Sequence, residues 1–162
     1  MMFSKILYDT RTNEILRCQP KPKGSAPPPS FEGLCKSANI SEDEKQYMAT
    51  TEIEGEMLTN QAQKELMIFN GIAVSKPELI ITSDKYKINI SNDPTFIITI
   101  KIKGKHQPDI SSMEMLINEI SFNIPLDNYQ GSKTIEVEEG TYTIACNDDR
   151  FISESIEVVA VE

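Results

Sequence analysis

The chain has 162 residues, a length that fits one domain or two small ones. Sixteen Lys and Arg residues stand against 25 Asp and Glu residues, and the resulting formal charge of -9 argues against nucleic acid and anionic membranes as partners. The N-terminus reaches an acid at Asp9 without the apolar h-region of a signal peptide, and no apolar run approaches the roughly 18 residues of a membrane span. We therefore expect a protein made in the cytoplasm, with no signal peptide and no membrane partner.

The first half of the chain predicts a small unit that mixes short strands and helices. Residues 6–8 and 14–18 are β-prone runs around a polar turn and predict a hairpin. Five prolines between residues 20 and 30 predict a loop, because proline lacks a backbone donor. Ser30 can cap a short helix, and residues 41–44 repeat this pattern with early acids and a capping box.

The boundary of this unit follows from the next signals along the chain. Residues 47–53 are compatible with a strand, whereas residues 59–66 fit either a helix or a loop. Asn70-Gly71 between two apolar runs predicts a type I′ hairpin, since both turn residues tolerate positive φ. We expect an N-terminal α+β docking unit over residues 1–75 and a second domain over residues 76–162.

The second half contains eight strand-like runs separated by turn residues, a pattern that is typical of an antiparallel β-sandwich. The runs are residues 79–82, 86–90, 96–102, 113–117, 120–125, 134–137, 141–146 and 155–161. Ile98, Ile100 and Ile102 alternate with polar residues and predict a strand with one buried face. The break at Asn118-Glu119 suggests a bulge or a kink.

Residues 132–162 resemble the last three strands of bacterial immunoglobulin-like domains. A β-prone run from Thr134 is followed by Glu139-Gly140-Thr141-Tyr142 and by a final alternating run from Ile156. In such domains a glycine opens the penultimate strand and a tyrosine packs at the sheet corner, and Gly140 and Tyr142 occupy these positions. The resemblance implies a mainly β protein whose second domain is an immunoglobulin-like antiparallel β-sandwich, outside the antibody branch because the disulfide and the core Trp are absent.

The N-terminal segment looks like the opening of small proteins encoded in the tail and virion-structure regions of tailed bacteriophages. The motifs that carry this resemblance are Leu7-Tyr8-Asp9-Thr10, Thr12-Asn13-Glu14-Ile15, Gln19-Pro20 and Phe31-Glu32-Gly33-Leu34. It implies a non-catalytic, tail-associated virion protein, in which the first unit docks to the assembly and the second projects as a spacer or host-surface adhesin. The implied partners are other virion or tail proteins, a bacterial surface polysaccharide and further copies of the chain.

The residues that could carry chemistry are few, and we expect neither catalysis nor a cofactor. His106 is the only histidine and has no Cys or His within ligand spacing. Cys18, Cys35 and Cys146 are odd in number and widely separated, which indicates structural thiols. The acids Asp148 and Asp149 lie in a loop between two strands and are weak candidates for a cation.

Two sets of side chains are candidates for surface binding. Lys101, Lys103 and Lys105 form a local basic patch that could meet an anionic surface, although an exposed strand face with edge lysines is the commoner explanation. Four aromatic residues could stack on sugar rings in a carbohydrate-binding module, which is an alternative function. They are Tyr86, Phe96, Tyr129 and Phe151. A small intracellular inhibitor that presents an acidic surface to a host protein is a third possibility.

Overall fold

The computed structural model describes residues 1–22, 24, 27 and 29–162, and these residues form a mainly β protein. Contacts between Cα atoms divide the chain into two compact units, Met1–Lys76 and Pro77–Glu162. Each unit has hydrophobic clusters of its own.

The first unit is built around a three-stranded antiparallel sheet with the strand order β2-β1-β3. Its strands are β1 (Met2–Asp9), β2 (Ile15–Pro22), β3 (Met48–Glu54), β4 (Leu66–Phe69) and β5 (Ile72–Ser75), and its helices are α1 (Phe31–Ser37) and α2 (Thr59–Glu65). The predicted N-terminal hairpin and the strand predicted at residues 47–53 are confirmed. Strands β4 and β5 pair as the predicted hairpin, with φ angles of 51° at Asn70 and 76° at Gly71.

Strand β1 lies at the centre of this sheet and is buried on both faces. On one face Ile6 packs with residues of β2, α2 and β4, and on the other Leu7 packs with Leu34 and Cys35 of α1. Ile6 and Leu7 are both fully buried, because adjacent strand residues point to opposite faces and each face is covered. The short helices are thus held mainly by packing against the sheet.

Of the two helix starts predicted in the first unit, one is confirmed and the other is wrong. Ser30 caps α1 as predicted, since its hydroxyl accepts a hydrogen bond of 2.9 Å from the backbone N–H of Gly33. The helix start predicted at residues 41–44 is wrong, because only a 3₁₀ turn over Lys45–Tyr47 forms before the chain enters β3. The alternative left open for residues 59–66 resolves as helix α2. No helix in the described part of the chain is long and apolar enough to cross a membrane.

The loop predicted at residues 20–30 starts later than expected, because β2 continues to Pro22. The backbone N–H of Cys18 points away from β1 and donates to the Thr59 hydroxyl at 3.0 Å. Pro20 and Pro22 share the alternation of Cys18, so their missing donors face the outer side of an edge strand and cost no ladder hydrogen bond. Four residues of the predicted loop lie outside the described residues, namely Lys23, Ser25, Ala26 and Pro28.

The second unit contains a five-stranded sheet of order β10-β9-β12-β14-β7 and a four-stranded sheet of order β11-β8-β6-β13. The strands are β6 (Glu78–Ser83), β7 (Lys87–Asn89), β8 (Thr95–Lys103), β9 (Ser112–Ile117), β10 (Ile120–Pro125), β11 (Gln130–Glu136), β12 (Gly140–Ala145), β13 (Ile152–Ser153) and β14 (Ile156–Val161). All eight predicted runs contain strands. The two-residue β13 was missed, and the pairs β13–β6 and β14–β7 are parallel where antiparallel pairing was expected.

Side chains from both sheets of the second unit form one hydrophobic core, an arrangement consistent with a β-sandwich. The predicted alternation of β8 is confirmed, because Ile98, Ile100 and Ile102 are buried while Lys101 and Lys103 are exposed. Residues of β9, β12 and β14 in the other sheet belong to the same core.

The bulge or kink predicted at Asn118-Glu119 is wrong. The two residues form a tight turn with φ angles of 45° and 69°, and Ile117 pairs directly with Ile120 across it. The turn escaped prediction because it lacks the glycine that usually marks positive φ. The Asn118 side chain also accepts a hydrogen bond of 2.9 Å from the backbone N–H of Thr143, which links the turn to β12.

Gly131 marks a close approach between consecutive strands β10 and β11. A Cβ atom added to Gly131 would lie 2.2 Å from the carbonyl oxygen of Pro125 and 2.8 Å from the Ile124 side chain. Both distances are far below van der Waals contact, and the nearest atom belongs to the backbone. Glycine is therefore required here for space.

We expect Gly131→Ala to lower the free energy of unfolding of the second unit by about 1–3 kcal/mol, because β10 must move to admit the methyl group. Urea unfolding measures this change. Thr134→Ser is the matched control, since Thr134 is exposed on the same strand and the substitution keeps the hydroxyl, so it should change stability by less than about 0.5 kcal/mol. Equal stability of Gly131→Ala and the wild type would contradict the close approach.

Candidate binding surfaces

Lys101 and Lys103 project from the outer face of the four-stranded sheet, and Lys105 is exposed in the loop that follows β8. Strand β8 lies between β11 and β6. The exposed strand face expected for these lysines is confirmed for Lys101 and Lys103. The expected edge position is wrong, because β8 has a partner strand on each side. The lysines instead stand over the middle and one end of a sheet face.

The neighbours of these lysines are mixed, because polar, apolar and acidic side chains all lie beside them. Lys101 lies opposite Gln130 on β11 and Ile80 on β6. The next outward residue of β8, Thr99, shares a hydrogen bond of 3.0 Å with the hydroxyl of Ser132. The face thus combines ammonium groups with hydroxyl and amide groups that donate and accept hydrogen bonds.

The four aromatic candidates do not form a joint stacking surface. Phe96 is fully buried and Phe151 is only 6% exposed, so the prediction that they stack on sugar rings is wrong. Phe96 starts the inward alternation of β8, and Phe151 joins the same core. Tyr86 is 51% exposed in the connection between β6 and β7, whereas Tyr129 is half-buried against the core in the turn before β11.

The loop with Asp148 and Asp149 is organised by an ion pair. Both carboxylate oxygens of Asp148 accept hydrogen bonds from the Arg150 guanidinium, with a shortest distance of 2.7 Å. This pairing opposes a cation at Asp148, and Asp149 is exposed in the same loop. Among the described residues there is no group of three or more Asp, Glu, His or Cys side chains that could hold a metal ion. His106 is half-exposed in a different loop.

The three cysteines are free thiols in protected positions. Cys18 and Cys35 are buried and Cys146 is half-buried, and burial raises the pKa of each thiol. A thiol with a raised pKa is a weak nucleophile at neutral pH. This environment agrees with the interpretation of the cysteines as structural.

A charged cluster in the first unit was not predicted from the sequence. The Arg11 guanidinium binds the carboxylates of Asp9 and Glu44, each at 2.6 Å, and lies 4.1 Å from the centre of the Tyr47 ring. The hydrogen bond from Arg11 lowers the pKa of Asp9. Glu44 is 33 residues from Arg11 in sequence, and no local pattern could have brought the two together. The cluster fastens the β1–β2 turn to the segment before β3.

The lowered pKa of Asp9 predicts a pH dependence of stability. A carboxylate with a depressed pKa in the folded state contributes stability above its ordinary pKa of 3.8, and this contribution is lost as the pH falls through the folded-state value. We expect Asp9→Asn to be less stable than the wild type at neutral pH, with the difference shrinking below about pH 4. Urea unfolding as a function of pH measures it.

The control for this experiment is Asp43→Asn, because Asp43 is exposed and its backbone carbonyl, not its carboxylate, accepts a hydrogen bond. This variant should follow the wild type at every pH. A stability difference between Asp9→Asn and the wild type that stays constant down to the acid limit would contradict the role of the ionised carboxylate.

Comparison with known proteins adds no relative from which a function could be transferred. No protein-family model matches the chain. No curated protein shows significant similarity to it either.

Proposed function

We propose that the second unit is an immunoglobulin-like domain. In the constant-type sandwich one sheet has the order A-B-E-D and the other the order C-F-G, with C′ added beside C in the variable type. The four-stranded sheet ends at β11, so the described residues have no strand in the place of D. Strands β6, β8 and β11 match A, B and E in chain order and in sheet order, and β9, β12 and β14 match C, F and G. Strand β10 then corresponds to C′. This order of strands supports the assignment.

The contacts of Tyr142 support the same assignment. Its hydroxyl donates a hydrogen bond of 2.9 Å to the carbonyl oxygen of Glu138, four residues upstream. A tyrosine near the start of strand F that binds the backbone a few residues before it is the tyrosine corner of immunoglobulin-like sandwiches. Tyr142 occupies that position on β12, next to Gly140. The bond fixes the crossing from β11 to β12 between the two sheets.

We expect Tyr142→Phe to lower the free energy of unfolding by about 0.5–1.5 kcal/mol, because it removes one hydrogen bond and keeps the ring. Hydrogen exchange should show faster exchange at the start of β12. Tyr129→Phe is the matched control, as Tyr129 is half-buried in the same unit. A loss of stability that is equal in the two variants would contradict a special role of Tyr142.

As its biological role we propose a non-catalytic structural protein of a tailed-bacteriophage virion, associated with the tail. The first unit docks to the assembly, and the second projects from it as a spacer or host-surface adhesin. The division into two compact units, each with its own core, carries this proposal together with the resemblance of the N-terminal segment. The chain is made in the host cytoplasm and is incorporated into the particle.

The electrostatics of the described residues support a structural role over a catalytic one. The carboxylates with lowered pKa values are Asp9, Glu52 and Asp93, and each is bound by a Lys or Arg side chain. The other groups with shifted pKa values are Arg11, which is bound to Asp9 and Glu44, Lys45, which is bound to Glu32 and Glu42, and the three protected thiols. Perturbed groups of this kind are explained by surface ion pairs and burial and do not converge on one cleft.

The experiment that tests the role is a search for the chain in purified particles. Virions released from the producing cells are purified by density gradient, treated with nuclease and probed with an antibody against the second unit. We expect the chain to co-purify with the particles in several copies and to be visible at the tail by immunogold labelling. Recovery of the chain only in the soluble lysate would overturn the proposal and favour an intracellular inhibitor.

A further inference from the structure

The basic groups of the second unit are concentrated in one short segment. Pro77–Glu162 contains seven of the 16 Lys and Arg residues and 15 of the 25 Asp and Glu residues, so its formal charge is -8. Three of these seven basic residues lie within residues 101–105. A strongly acidic unit therefore presents one cluster of ammonium groups. We call Lys101, Lys103 and Lys105 together the lysine face.

The position of the lysine face gives it a fixed geometry. Lys101 and Lys103 stand two residues apart on an interior strand. Their Cα atoms are therefore about 7 Å apart, and their side chains lie on the same face of the sheet. Lys105, the third lysine of the row, is exposed in the loop that follows β8. Neighbouring strands hold Lys101 from both sides, and β6 also pairs with Lys103.

The ammonium groups of this row are not neutralised within the described part of the chain. The ion pairs found there use other basic residues, such as Lys21, Lys45 and Lys85, and none includes a lysine of the row. Lys101 faces Gln130 and Ile80 across the sheet, and only Lys103 has an acid, Glu78, as its cross-strand partner. The row is available to an anionic ligand.

The chemistry around the row narrows the choice of ligand. Thr99, Gln130 and Ser132 place hydroxyl and amide groups beside the lysines, and such groups bind polyol and sugar hydroxyls. Lysine binds phosphate as a compact point charge, and β6, β8 and β11 contain no arginine, whose planar fork would make bidentate contacts with carboxylate and phosphate alike. A phosphate-bearing polyol chain fits this combination best.

We propose that the lysine face binds a linear polymer of polyol or sugar units joined by phosphodiesters. This inference rests on the proposed role of the second unit as a host-surface adhesin. A second copy of the same face is disfavoured as occupant because like charges would meet. Single-stranded nucleic acid is disfavoured because the outward positions of β6, β8 and β11 include no aromatic side chain for base stacking.

Binding of synthetic poly(glycerol phosphate) to the full chain tests the proposal, measured by biolayer interferometry at low and physiological salt. We expect Lys101→Gln/Lys103→Gln/Lys105→Gln to raise the Kd by about tenfold or more and to reduce the slope of log K against log salt by about two. The matched control is Lys85→Gln/Lys87→Gln/Lys133→Gln, which removes the same charge from other parts of the unit and should change the Kd by less than about twofold. Urea unfolding of both triple variants verifies that they fold.

Four outcomes would overturn the proposal. They are the absence of wild-type binding, an equal loss in the two triple variants, equal wild-type affinity for oligo-dT, and equal affinity for hyaluronate, whose charges are carboxylates. The third outcome would identify a nucleic-acid surface and the fourth a general polyanion surface. Each is distinguishable from failure of the proposed role, because co-purification with virions is measured separately and does not require the lysine face.

Discussion

The alternation of β8 is the constraint on which the second unit depends. Phe96 and the isoleucines that follow it at every second position fill the space between the sheets, and the same alternation puts Lys101 and Lys103 on the outside. Because the period is two, a shift of the strand by one residue would bury the lysines and expose the isoleucines. The burial of the isoleucines and the exposure of Lys101 and Lys103 therefore depend on the same strand register, and a change of register would alter both.

The core of the first unit is arranged differently, because its main sheet has only three strands and is covered on both faces. Ile6 and Leu7 are neighbours in sequence and lie in separate clusters, so a single strand joins two small cores. Neither α1 nor α2, at seven residues each, would be stable alone. At the end of the unit, the Lys76 side chain donates to the carbonyl oxygen of Gln63 near the C-terminus of α2, which ties the residue after β5 to that helix.

Local signals explain which parts of the fold could be predicted from the sequence. Ser30, Asn70-Gly71 and the isoleucines of β8 act within a few residues, and each gave the correct element. Phe96 was misjudged, although it lies two residues before Ile98 and the alternation of β8 places both on the same buried face. The Arg11–Glu44 pair depends on two segments that meet only in the folded unit. The identity of a binding partner does not follow from any local sequence pattern.

The outer side of β2 has a consequence for association between chains. An exposed strand edge is a template on which another strand can add, and such addition can propagate. Here the prolines at positions 20 and 22 offer no donors, and the Thr59 hydroxyl accepts from the N–H of Cys18 and donates to its carbonyl oxygen. An incoming strand would find few groups to pair with along this edge. Crowding of many copies, as on a particle surface, would therefore not lead to polymerisation through β2.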